Sequence, residues 1–143
     1  MSKKTIVVVI TLIAGLSGLG GLSLLGQIGE FPNFAKVIII NSIVFRGFCG
    51  LIGGVLLWRG NKWGYRLTLI CWIYLILTSV LTINQLYSGG LILSYEFLQQ
   101  NYAAFGRPFL ISILKIVLGI PIIHFVISYL LNPQQDTKQD SLI

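Results

Sequence analysis

Apolar residues run in four long blocks along this chain, roughly Ile6 to Gln27, Val37 to Trp58, Leu67 to Tyr87 and Phe109 to Leu131. Each is close to the length of about 20 residues that a helix needs to cross a bilayer, where every backbone polar group must be paired inside the helix. The pattern predicts an all-α fold: an integral membrane four-helix bundle over residues 1–131. Glycine and proline punctuate the gaps, with Gly29 and Pro32, then Gly60 and Gly64, then Gly89, Gly90, Gly106 and Pro108. In the last gap Leu91, Tyr95, Leu98, Tyr102 and Phe105 recur at helical spacing between Glu96, Gln99 and Gln100. That spacing predicts a short interfacial helix between spans 3 and 4. Residues 132–143, "NPQQDTKQDSLI", are polar with nothing to pack against and read as a disordered cytoplasmic tail.

Small and polar residues recur at alternating steps of three and four inside every block, the spacing of one seam in a left-handed bundle. The stripes are Thr11, Ala14, Gly18, Gly21 and Leu25; Ser42, Arg46, Cys49 and Gly53; Thr68, Cys71, Leu75, Thr78, Thr82 and Gln85; and Ser112, Lys115, Gly119, Ile122 and Val126. Lipid tails are as apolar as leucine, so helices in them associate through close packing of small residues and through hydrogen bonds between helices. Gly18, Gly21, Gly50 and Gly54 are the expected packing glycines. Gly47, Gly50 and Gly54 also form a small-xxx-small face suited to a second copy or another membrane protein.

Arg46 stands far inside the second block, and an arginine does not lose its proton in a protein. Counted from Val37 and Phe109 at 1.5 Å per residue, Arg46 lies about 13 Å and Lys115 about 9 Å inside the membrane. Ser42, Thr82, Gln85 and Ser112 belong to the same half. Side chains on helices lean toward the N-terminus, so both cations reach toward one surface. Charges inside a span are costly toward lipid and mark functional positions. These residues predict a basic outward pocket in which Arg46 and Lys115 hold an anion or a partner's carboxylate and Ser42, Thr82 and Gln85 supply hydrogen bonds; the interfacial helix with Glu96 either anchors the loop or, less readily, forms a lid over that pocket. No acidic residue falls inside a block: Glu30 and Glu96 are in the outer gaps, Asp136 and Asp140 in the tail.

Orientation follows from the basic residues, because cytoplasmic loops keep an excess of them. Lys3, Lys4, Arg59, Lys62, Arg66 and Lys138 fall on one side and Lys36 and Arg107 on the other, which puts both termini in the cytoplasm and the chain in a cell (inner) membrane. Trp58, Trp63 and Tyr65 flank the tight turn "WRGNKWGYR", as aromatic side chains seated at headgroup level do. The first block resembles a signal peptide in its basic start and apolar core, but no A-x-A-like cleavage site follows, so it is read as a retained span. Its removal would leave three spans.

Composition agrees with a lipid environment: 55% of the 143 residues are hydrophobic and only 10% charged. The net charge of +6 is scattered at block ends and lacks the polar surface that nucleic acid needs. The expected partners are the lipid bilayer and another membrane protein or a second copy, with no nucleic acid. No serine, histidine and acid constellation, paired carboxylates, metal-ligand cluster or phosphate-cradling glycine loop occurs in the sequence, so no catalytic residue, metal or cofactor is expected. Cys49 and Cys71 read as free thiols, Pro121 as structural, and His124 as a histidine satisfied by one hydroxyl or carbonyl on the Ser128 face. The sequence therefore predicts a non-enzymatic multi-pass membrane protein, an accessory or interaction subunit. The alternative is a binding or transport module for an anion or anionic lipid.

Overall fold

The computed structural model describes residues 2–23, 29, 33–88 and 106–131. The expected interfacial helix, the tail and all four acidic residues, Glu96 among them, lie outside the described residues. The described elements are all helical: α1 (Lys3–Leu19), α2 (Asn33–Asn41), a π-helical segment (Ser42–Phe48), α3 (Cys49–Trp58), α4 (Lys62–Ser88) and α5 (Arg107–Leu131). Four helical rods among them are long and apolar enough to cross a membrane: Lys3–Ser23, Lys36–Trp58, Lys62–Ser88 and Arg107–Leu131. The shortest has 21 residues, about 30 Å at 1.5 Å per residue, which matches the hydrocarbon core. The chain is an integral membrane protein. It divides into two packed units, one holding the residues up to Trp72 and those from Ile122 on, the other Ile73–Pro121.

In the first unit α1 and the second rod, formed by α2, the π segment and α3, meet backbone to backbone. α1 buries Val7, Val8, Thr11, Gly15 and Gly18. The second rod buries Ile43, Gly47, Gly50, Gly53, Gly54 and Leu57. A Cβ on Gly18 would fall 2.6 Å from the Gly47 nitrogen, and one on Gly15 2.7 Å from the Leu51 nitrogen. Real carbons never approach so closely, so only glycine permits this contact. The buried face Ile43, Gly47, Gly50, Gly54 and Leu57 keeps the expected steps of four and three, but it lies one position along from the stripe Ser42, Arg46, Cys49 and Gly53. This corrects the sequence reading: the small-xxx-small face assigned to a second copy or partner is filled by the chain's own α1. Gly21 packs less tightly, with its Cβ position 3.1 Å from the Ile43 side chain.

The turn between α3 and α4 is built by local chemistry. Gly60 has φ +72°, a left-handed conformation that costs glycine nothing. Its N–H donates to the Leu57 carbonyl at 3.0 Å and the Asn61 N–H to the Leu56 carbonyl at 2.9 Å, the paired closure of a helix ended by glycine. Asn61 then opens α4 by accepting from the Trp63 N–H at 2.9 Å through Oδ1. Gly64 lets α4 return against the Leu56 and Leu57 backbone without a side chain between.

Two buried aromatic residues of α4 complete this unit. Trp72 Nε1 donates to Thr11 Oγ1 of α1 at 3.0 Å. Tyr65 is 0% exposed and stacks on Tyr129 of α5, with ring centroids 3.7 Å apart and planes 6° from parallel. The expectation that Tyr65 serves as an exposed headgroup anchor is thereby corrected, because its ring is taken up by Tyr129. Trp58 and Trp63 are exposed, and Trp63 carries the Arg66 guanidinium over its ring at 4.9 Å.

In the second unit α4 buries Leu75, Ser79 and Leu86 and α5 buries Ser112. The hydroxyls of α4 turn to their own helix. Thr78 Oγ1 donates to the Tyr74 carbonyl at 2.9 Å, Ser79 Oγ to the Leu75 carbonyl at 2.7 Å and Thr82 Oγ1 to the Thr78 carbonyl at 2.9 Å.

Candidate functional site

Arg46 sits in the π segment, where hydrogen bonds skip one residue more than in an α-helix. Such stretches are rare and are frequently found at functional sites. Here the Cys49 N–H reaches the Val44 and Arg46 carbonyls. The Arg46 carbonyl also accepts from the Cys71 thiol of α4 at 3.7 Å, so the backbone beneath the arginine is tied to a second helix. Both cysteines are free thiols.

The guanidinium crosses to α1, where Arg46 Nη2 donates to Ser17 Oγ. Ser17 is suited to receive it. Its own proton goes to the Ala14 carbonyl at 2.7 Å, which leaves the oxygen lone pairs to accept. The aliphatic stem of Arg46 lies along the glycine seam, with Cγ 2.8 Å from the Cβ position of Gly18. Arg46 is half-buried, with Nε of its charged head enclosed, and Ser17 is exposed. Ser42, one helical turn before Arg46, is half-buried.

The remaining predicted site residues belong to the second unit. Lys115 is half-buried on α5, Thr82 is half-buried with its hydroxyl on the Thr78 carbonyl, and Gln85 is exposed near the end of α4. Within the first unit the structure thus joins Arg46 to Ser17, a residue that the seam pattern passed over. Its signal was present: a hydroxyl inside an apolar block, next to Gly18, the glycine against which Arg46 packs. His124 Nδ1 and Ser128 Oγ lie 3.4 Å apart on an exposed part of α5, the pairing that their spacing of four residues suggests. No family model, curated protein or solved structure matches this chain.

Proposed function

We propose that the chain is a non-enzymatic multi-pass protein of a cell (inner) membrane, with both termini cytoplasmic, that binds an anionic group at Arg46. The group is a phosphate or comparable anion, presented by a lipid or free in solution. The observation that carries this reading is the hydrogen bond from Arg46 to the exposed Ser17. A guanidinium is permanently charged and presents a planar fork of donors that matches phosphate and carboxylate oxygens. Ser17 orients that fork, and the glycine seam fixes the helix that carries Ser17. Ser17 lies six residues from Ser23, where the first span ends, about 9 to 12 Å at helical rises. A headgroup drawn slightly inward reaches that depth, as happens around cationic side chains in membranes.

The accessory-subunit reading is the weaker one. It drew on a glycine face open to a partner, and α1 occupies that face. What supports it still is the donor fork of Arg46, which suits a carboxylate on another chain as well as a phosphate. Arg46→Gln separates the two when the protein is purified in mild detergent and weighed by native mass spectrometry. Anion binding predicts an intact assembly with binding of added inorganic phosphate reduced about tenfold, as suits hydrogen bonds to a charged group. Loss of a co-purifying protein with phosphate binding unchanged would establish the subunit reading instead. A variant that alters neither sinks both.

A further inference from the structure

At the opposite end of α1 from Ser17, a cleft of about 260 Å³ opens between the first turns of α1 and the end of α3, lined by Lys4, Thr5, Val8, Val9 and Trp58. We infer that this cleft is a binding site for one anionic phospholipid, with its phosphate at Lys4 and its first acyl methylenes along Val9 and Trp58. Three observations converge on that occupant. The first is shape. The volume lies just under the range of sites for drug-sized molecules, about 300–1,000 Å³, and suits a phosphoglycerol with the start of a chain.

The second is charge. Lys4 Nζ lies 3.7 Å from the Cβ position of Gly60, so the ammonium leans over the turn that carries Arg59 and Lys62. Lys3, Arg59, Lys62 and Arg66, at the same end of these helices, are exposed. Basic pockets between membrane helices on the positively charged side are the general form of anionic headgroup sites.

The third is the division of the walls. Lys4 and Thr5 form a polar lip, whereas Val8, Val9 and the ring of Trp58 form an apolar floor and side. Trp58 is 71% exposed at the end of a span, the position where an indole joins headgroup to acyl layer. A free inorganic anion makes no use of that apolar wall, and a neutral lipid makes no use of the five cations. A phospholipid with net negative charge uses both. This site is separate from Arg46, since Lys4 and Ser17 stand at different ends of one helix.

The full chain is placed in nanodiscs of equal phosphatidylglycerol and phosphatidylcholine, extracted gently and weighed by native mass spectrometry. The wild type is expected to retain phosphatidylglycerol in preference to phosphatidylcholine, and Lys4→Gln to lower that retention about fivefold, the effect of one basic group at an anionic surface. Val9→Trp fills the cleft while every charge stays, and the expected loss is as large. Retention of phosphatidylglycerol by Val9→Trp at the wild-type level overturns the inference, because the attraction is then diffuse and needs no cleft. Equal retention of the two lipids by the wild type overturns it as well. Helicity by circular dichroism checks each variant. Should Val9→Trp lose helicity, Trp58→Ala replaces it, with a similar loss expected and wild-type retention again fatal.

Discussion

The contact between α1 and the second rod and the stretch of α4 beyond Trp72 use similar small and polar residues to different ends. In the first, Gly15, Gly18, Gly47 and Gly50 bring two backbones together and Ser17 accepts a hydrogen bond across the contact, while Thr11 of the same α1 accepts one from Trp72 of α4. In the second, Thr78, Ser79 and Thr82 each return a proton to a carbonyl of their own helix. A hydroxyl in lipid always has a carbonyl one turn back, so its presence in a span does not by itself mark a contact between helices. Glycine acquires meaning only from what stands opposite. Gly20, with nothing within 4 Å of its Cβ position, shares a helical rod with Gly18, whose Cβ would strike backbone.

The largest effect that tests this contrast belongs to those glycines. At Gly15 and Gly18 a methyl group meets backbone atoms, which cannot rotate aside as a side chain does. Alanine at either position is expected to destabilise the protein by about 1–3 kcal/mol, the usual cost of forcing extra volume into a tight contact. Gly20→Ala is the matched control and is expected to be neutral or slightly stabilising, since alanine is the better helix former. Gly54→Ala falls between, because it meets the Leu12 side chain, which can shift. Unfolding in mixed micelles by titration with sodium dodecyl sulfate, followed by circular dichroism, ranks the four. Equal behaviour of Gly18→Ala and Gly20→Ala would remove the backbone contact as the source of stability.

A smaller effect is expected where a hydrogen bond, not volume, joins the helices. Trp72→Phe and Thr11→Val each remove one partner of the buried Nε1 to Oγ1 bond. Trp72→Phe also changes packing, so the bond is isolated by the double-mutant cycle. A coupling of about 0.6 kcal/mol, and no more than about 1.7, is expected, the mean and the maximum for such bonds between membrane helices. A coupling indistinguishable from zero would mean that Thr11 and Trp72 are neighbours through packing alone.

How far the sequence conveyed this arrangement depends on the residue type at each position. The four spans were plain, because a hydrophobic block of fixed length reports directly on the solvent around it. The α5 stripe was legible too: Ser112, Gly119, Ile122 and Val126 are all buried. On the second rod the arginine misled, since the stripe was drawn through Arg46 to keep its charge from lipid. The structure places the glycines one position along in the contact and lays the long, flexible arginine along their edge. On α4 Thr68 does lie buried against Gly53, but Thr78 and Thr82 misled, being satisfied within their own helix, while Tyr65 was assigned to the headgroups and Trp72 went unnoticed because bulk was assigned to lipid. The bond from Arg46 to Ser17 was beyond periodicity, which ranks positions within one helix and says nothing about which rim of the next helix a long side chain will reach.

The smallest expected effect is the most direct test of the second region. Thr82→Val deletes a hydroxyl whose proton goes to the Thr78 carbonyl, an oxygen that belongs to the regular hydrogen bonding of α4 as well. Valine keeps the branched shape, so the unfolding midpoint is expected to move by no more than about 0.5 kcal/mol, well under the Thr11→Val change. The same variant sharpens the functional reading. Thr82 was grouped with Arg46 as a donor to a bound anion, yet its hydroxyl proton is held by its own helix. If anion binding draws on Arg46 with Ser17, Thr82→Val binds added phosphate as the wild type does while Arg46→Gln does not. A loss in Thr82→Val comparable to that in Arg46→Gln would show that the hydroxyl leaves the Thr78 carbonyl for the ligand, and the separation drawn between the two regions would then fail at this residue.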